Sequence, residues 1–259
     1  MEREQEELGI HILENTRNEL YYHFPYLDGA FACISGKASD QTRTIGTNGE
    51  DFLFSPEYLL ELYVKNPEAV RRGYLHMLLH CLYLHIFREN QEDKRMWNLA
   101  CDIAVEQIIT REKIHSLKIP ENEVRRKVLQ RLGGQADSAE KICRKLKEEA
   151  FSFRLEEMEE AFHFDDHTLW DHCTGEQGKK TREKWNRLLS YTAANRQDHR
   201  KRRGTRQGNR QEAAGSVKSG KYDYKKFLRQ FSVLREEVEL DTESFDYIFY
   251  NYGMEHYGN

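Results

Sequence analysis

The 259-residue chain has no uninterrupted apolar run of 18 residues, which leaves no sequence candidate for a membrane-spanning helix. It has five cysteines, Cys33, Cys81, Cys101, Cys143 and Cys173, and no Cys-x-x-Cys pair. The odd number and the spacing argue against a disulfide framework or a zinc ribbon. Cys81 and Cys101 lie inside apolar runs and read as reduced, buried thiols of a cytoplasmic protein. There is no large excess of either charge: the formal net charge is −4, which gives no global case for nucleic acid or an anionic membrane. The opening Met-Glu-Arg-Glu-Gln-Glu-Glu is not the start of a secretory signal. No internal repeat is visible. The 38% apolar content supplies a core for one large or two small domains.

Against a background of 32% charged residues, one stretch stands apart. From Tyr74 to Phe87 every position is apolar, aromatic, Cys or His. Too short to span a bilayer, it suits a central helix buried on all sides, capped by Asn66-Pro67-Glu68 and running to about Phe87. His76 and His80 fall one turn apart on one face, the spacing of the zinc-binding histidines in His-Glu-x-x-His. The Glu position is Met77. His85 is five residues past His80, so on a straight helix it points roughly 140° away and packs or caps the helix end.

A second apolar helix is expected over Arg95–Ile109. It carries Asp102 among Leu99, Ala100, Cys101, Ile103, Ala104 and Val105, with Glu106 one turn on. A carboxylate buried there costs several kcal/mol, roughly, unless a metal, a histidine or a helix N-terminus partners it. Asp102 is therefore the favoured third ligand, followed by His167 or Asp166. These come from a stretch, His163 to Cys173, that holds three His, three Asp and one Cys. Two readings of the histidine pair stand at this point. It binds a metal, with Glu106 or Asp165 as a substitute for the missing general base. Or it satisfies buried polar groups such as Asp102.

Around these helices the sequence suggests a helix over 5–24, a break at Phe24-Pro25, and a Gly/Ser/Asp turn after Ile34. A hairpin follows across 42–54, turning at Asn48-Gly49. Ser55-Pro56 opens a helix with Ser55 as its cap. Further helices are expected over 121–132, 137–151 and 180–194. The fold class is mainly α with a small β-hairpin or sheet (α+β). Residues 1–195 form the helical domain. Residues 196–221, with nine Lys/Arg against two acids, read as a flexible basic linker or loop. Without interleaved aromatics this stretch argues against nucleic acid as a partner. Residues 222–259 read as a C-terminal helix and strand, and the stop at Asn259 as a boundary within a longer protein.

Several of these segments together carry a resemblance. They are Leu75-His76-x-x-Leu79-His80-Cys81-Leu82-x-x-His85, Trp97 to Glu106, Ser138-Ala139-Glu140-Lys141-Ile142, Asp165-Asp166-His167-x-Leu169-Trp170, and Phe245-Asp246-Tyr247-Ile248-x-Tyr250-x-Tyr252-Gly253. The chain resembles the N-terminal metallopeptidase-like domain of bacterial proteins that carry a von Willebrand A-type (VWA) domain. The resemblance implies a zincin-like helical core around the His-x-x-x-His helix. It implies zinc held by His76, His80, Asp102 and His167, and a VWA domain following Asn259. It also implies MoxR-type AAA+ ATPases as partners, in an assembly role. The departure at Met77 implies a catalytically degenerate binding module. Alternatives are an active zinc hydrolase using a substitute carboxylate, and a structural helical domain without metal.

Overall fold

A computed structural model describes residues 2–88, 93–133, 137–148, 153–173 and 175–204. Helix α1 (Glu2–His23) ends where Pro25 opens a 3-10 turn, Pro25–Leu27, and a single turn of helix, α2 (Asp28–Phe31), follows. Three short strands come next: β1 (Ser35–Ala38), β2 (Ile45–Thr47) and β3 (Asp51–Phe54). The expected hairpin is β2–β3, antiparallel, with Ile45 opposite Phe54 and Thr47 opposite Phe52. Its turn works as the Asn-Gly pair suggested: Asn48 Oδ1 accepts from the amides of Glu50 and Asp51, and Gly49 has φ 83°.

Strand β1 replaces the turn expected after Ile34. It runs parallel to β3, giving the order β1-β3-β2. Its residues alternate only between exposed and half-buried, so no apolar period marks it in the sequence. What fixes it is backbone pairing and the approach of α1: a Cβ on Gly36 would sit 2.6 Å from Leu13 Cδ1.

Helix α3 (Pro56–Lys65) starts at Ser55 with Pro56 in its first turn, but the Ser55 side chain makes no cap hydrogen bond. Helix α4 (Pro67–Leu82) is capped as expected, with Asn66 Oδ1 accepting from Ala69 N at 3.0 Å. From Arg72 to Leu82 every side chain of α4 is buried, the property the uncharged run predicts. It packs against α1, α3, α5 and α9. The remaining helices are α5 (Lys94–Arg111), α6 (Glu123–Arg131), α7 (Ala139–Glu148), α8 (Leu155–Phe162) and α9 (Gly175–Gly204). Helix α8 has no counterpart in the sequence reading, and α9 extends well past the expected 180–194. The change of composition at Arg196 falls inside α9. The rest of the basic stretch and the expected C-terminal helix and strand over 222–259 lie outside the described residues. The architecture is mainly α with a small three-stranded sheet, and no described helix is long and apolar enough to cross a membrane.

One expectation for the central helix is overturned. It does not run to Phe87. It stops at Leu82, Leu84 takes a left-handed conformation (φ 62°, ψ 24°), and His85–Phe87 forms a separate 3-10 turn. The straight-helix projection of His85 therefore does not apply, with consequences for the site.

Candidate metal centre

Five side chains from three parts of the fold bring one ligand atom each to within 4.8 Å of one another: His76, His80, Asp102, Asp165 and His167. Helix α4 supplies the two histidines, one turn apart, with Nε2 atoms 2.8 Å from each other. Helix α5 supplies Asp102, whose Oδ1 lies 3.3 Å from both His76 Nε2 and His80 Nε2. The segment after α8 supplies Asp165 and His167. His167 Nε2 is 3.0 Å from Asp102 Oδ1 and 3.1 Å from Asp165 Oδ1, and His76 Nε2 is 3.5 Å from Asp165 Oδ1. Metal–nitrogen and metal–oxygen bonds of about 2.0–2.1 Å set ligand–ligand edges of about 2.9–3.4 Å. The separations of 2.8–3.5 Å given above lie close to that range.

The segment carrying Asp165 and His167 is pinned by the hairpin. Asp166 N donates to Ile45 O at 2.8 Å, and Thr42 Oγ1 donates to Asp166 Oδ2 at 2.9 Å. Gly46 makes the close approach possible: a Cβ there would lie 2.7 Å from Leu169 Cδ1 and 2.8 Å from Asp166 O. Asp166 spends its other oxygen on Thr168, whose amide and hydroxyl it accepts, so this alternative third ligand turns away from the cluster. Trp170 stacks on the His167 ring at 3.8 Å between centroids and also covers His80.

Behind the five stand three side chains that orient them. Glu106 Oε1 lies 3.1 Å from His76 Nδ1. Glu106 Oε2 accepts from Arg72 Nε at 2.9 Å and from Nη2 at 2.6 Å. Arg72 is fully committed, also donating to Leu117 O and Thr110 Oγ1. The left-handed Leu84 turns His85 back, so that its Nδ1 lies 3.0 Å from His80 Nδ1. Each α4 histidine thus has its Nδ1 tied off and its Nε2 aimed into the cluster, the tautomer control that metal-bound imidazoles use.

The charge states follow from the packing. Burial alone would strip the proton from His76, but hydrogen bonds to Asp102 and Glu106 outweigh it and lift its pKa to about 9. Burial is likewise outweighed at His167 by Asp102 and Asp165, raising it to about 10. His80 goes the other way, to about 4, through burial and then the charge on His76. His85 is held well below the usual histidine range by burial and His80. Burial opposes ionisation of Asp102 and Asp165, yet the His167 charge keeps both below the usual carboxylate range. Arg72 and His76 do the same for Glu106.

The donor set suits a divalent cation. Three imidazoles and two carboxylates are borderline-to-hard ligands. A further buried atom, Asp165 Oδ2, has no hydrogen-bond partner among the described residues, and a bound ion or its water is the simplest answer to such an orphan.

Of the residues singled out in the sequence, His76, His80, Asp102 and His167 come together, and Asp165, considered there as a base, sits among them. Glu106 has both oxygens engaged. The position taken by Glu in His-Glu-x-x-His is Met77, 1% exposed in the core. Arg72 and the turn-back of His85 were missed. Arg72 had a visible signal, a cation at the border of the uncharged run, four residues before His76.

A mainly helical domain with a buried His/Asp cluster on its central helix is the class that fold and site define. Residues 11–232 match the family described as "Putative metallopeptidase domain", and the chain belongs to that family. No curated protein and no solved structure matches it significantly.

Proposed function

We propose that this domain binds one divalent metal ion, zinc in the first instance, through His76, His80, His167 and Asp102 with Asp165 beside them, and that it serves as a binding module rather than a peptidase. The single observation that carries the reading is the convergence of five ligand atoms within 4.8 Å, with His76 and His80 fully buried. When bound, such an ion supplies Lewis acidity and cross-links α4, α5 and the segment after α8. Two further features favour binding over turnover. Position 77 holds a thioether, which accepts no proton at neutral pH. And the carboxylate one turn past Asp102, Glu106, is already shared between His76 and Arg72.

The second reading, an active hydrolase, is favoured by one atom. Asp165 Oδ2 is buried and without a partner among the described residues, and so is free to take a proton from a water. We further propose a VWA domain as its neighbour, on the sequence resemblance around Phe245–Gly253, and a MoxR-type ATPase as a partner, on the family resemblance alone.

Metal analysis of the purified chain decides the first step. One equivalent of metal is expected, lost in His76→Ala and in His167→Ala at retained helicity; a metal-free native protein that rejects added zinc overturns the reading. A casein cleavage assay with added zinc decides the second. No turnover is expected, in the native chain or in Met77→Glu. Turnover that disappears in His80→Ala establishes the hydrolase instead.

A further inference from the structure

Arg72 has two sides. One holds Glu106 behind the metal cluster; the other forms part of the wall of a cleft of about 650 Å³ between the end of α5, the 3-10 turn His115–Leu117 and α6. A volume of this size is that of a small-ligand site. Its apolar lining comes from Ile109, Ile114, Leu117 and Leu129, and its charged lining from Lys113, Lys118 and Arg125, with Glu121 paired to Arg126. A second hollow of about 320 Å³ shares Arg125 and Asn122 and continues toward His163 and Phe164.

Arg125 is the unusual member. Its side chain is partly buried, and among the described residues its hydrogen bonds run to carbonyls, Pro120 O at 2.8 Å and Ala161 O at 3.5 Å. It lies 5.9 Å from the Phe164 ring centroid, and Arg72 lies 5.7 Å from the same ring. No carboxylate among the described residues comes within ion-pair distance of Arg125, whereas its neighbour Arg126 has Glu121 at 3.5 Å. Burial pushes the Arg125 pKa down, and the charge of Glu106 opposes this without reaching ion-pair distance, so the guanidinium still offers a forked donor matched to a carboxylate.

We propose that this cleft binds the apolar C-terminal end of a peptide, with its terminal carboxylate on Arg125 and its side chains on the apolar lining of Ile109, Ile114 and Leu117. Lys113 and Lys118 in the lining add favourable charge. Arg72, in the wall of the cleft, links it to the metal cluster through Glu106, while Phe164, 5.2 Å from the His76 ring, lines the second hollow. The inference rests on the metal-centre reading only for what the cleft adjoins; peptide binding itself is measured on metal-free protein, so the two fail separately.

The test is calorimetric titration of the whole chain, chelator-treated and then zinc-loaded, with acetyl-Leu-Leu-Leu bearing a free carboxylate and with the same peptide as its carboxamide. The acid is expected to bind about tenfold or more tighter than the amide, the preference a charge-assisted pair gives. In Arg125→Met the acid should fall to the level of the amide, and in Arg125→Lys, which keeps the charge but not the fork, only part of the preference should survive. Equal binding of acid and amide to the native chain overturns the proposal whatever the variants do. So does an unchanged preference in Arg125→Met.

Discussion

Glu106 faces His76 across the α4–α5 contact, with 3.1 Å between Oε1 and Nδ1, and neither side chain has any exposure to solvent. The pair, continued by Arg72 on the other carboxylate oxygen, is what turns a buried histidine into a directed ligand. Replacing Glu106 by Gln removes the charge and leaves Arg72 buried without its counter-ion, an imbalance worth about 3–5 kcal/mol. It also weakens the orientation of His76, for which a loss of about 10–100-fold in metal affinity is expected. Urea unfolding of the metal-free protein reads the first effect, and competition against a chromogenic chelator reads the second. Unchanged affinity would show that Glu106 holds Arg72 alone.

His85 plays the corresponding part for His80, and its variant separates orientation from ligation. In His85→Leu the Nδ1 of His80 loses its hydrogen-bond partner, a buried polar group left unmade at about 1–3 kcal/mol. All five cluster side chains remain. Metal stoichiometry is therefore expected to stay at one while affinity falls by about tenfold or more. A stoichiometry of zero would make His85 a ligand. No change in affinity would mean that the 3.0 Å contact with His80 carries no orientation.

Much of this was legible in the sequence, for physical reasons that can be named. An uncharged run in a highly charged chain has only the core to go to, and α4 is there. Two imidazoles at i and i+4 share a helix face whatever surrounds them. Asp102, flanked by apolar residues, required a partner. Local rules do not reach further. The left-handed Leu84 that reverses His85 sits in a run of uniformly apolar and aromatic residues without a Gly to announce it. Strand β1 exists because β3 and Leu13 of α1 hold it in place. The choice of Asp165 over Asp166 is made by Thr42, 124 positions upstream of Asp166.

The protonation pattern makes metal binding depend on pH. In the metal-free protein the cations Arg72, His76 and His167 stand against the anions Asp102, Asp165 and Glu106. A divalent ion taking the Nε2 positions displaces the protons of His76 and His167, so charge is conserved. Roughly two protons should be released per ion near pH 7, and apparent affinity should rise about a hundredfold per pH unit until His76 titrates, at about 9. Titration in two buffers of different ionisation enthalpy measures the release; no release at pH 7 would place the ion elsewhere.

The same groups set the stability of the metal-free fold. His76 and His167 have folded values near 9 and 10 against an ordinary 6.5, so their contribution is complete below 6.5 and is lost as pH rises through 9–10. His80, depressed to about 4, works on the other flank: its contribution is present above 6.5 and is lost as pH falls toward 4. Thermal melts in chelator should therefore peak near pH 6.5 and decline from there to about pH 10. Bound metal, which replaces the two protons, should flatten the alkaline limb. A metal-free melting temperature that does not fall between pH 8 and 10.5 would mean that these imidazoles are not charged in the fold.

Gly46 tests whether the hairpin delivers the second half of the cluster. The glycine lies in β2, opposite Leu53, and a methyl group there meets Leu169 Cδ1 at 2.7 Å and the Asp166 carbonyl at 2.8 Å. The carbonyl is backbone, held by the neighbouring Asp166 N to Ile45 O bond, so it cannot yield as a side-chain tip would. Gly46→Ala should push the Asp165–His167 segment outward while leaving His76, His80 and Asp102 in place. Three of the five ligands would remain, and affinity should fall toward that of a His167→Ala, Asp165→Ala double variant, with overpacking costing about 1–3 kcal/mol of stability. Because Gly46 touches no ligand atom, a loss of metal binding in Gly46→Ala with helicity intact separates delivery of the segment from the chemistry of its side chains. Full affinity in this variant would mean that His167 reaches the cluster without support from β2.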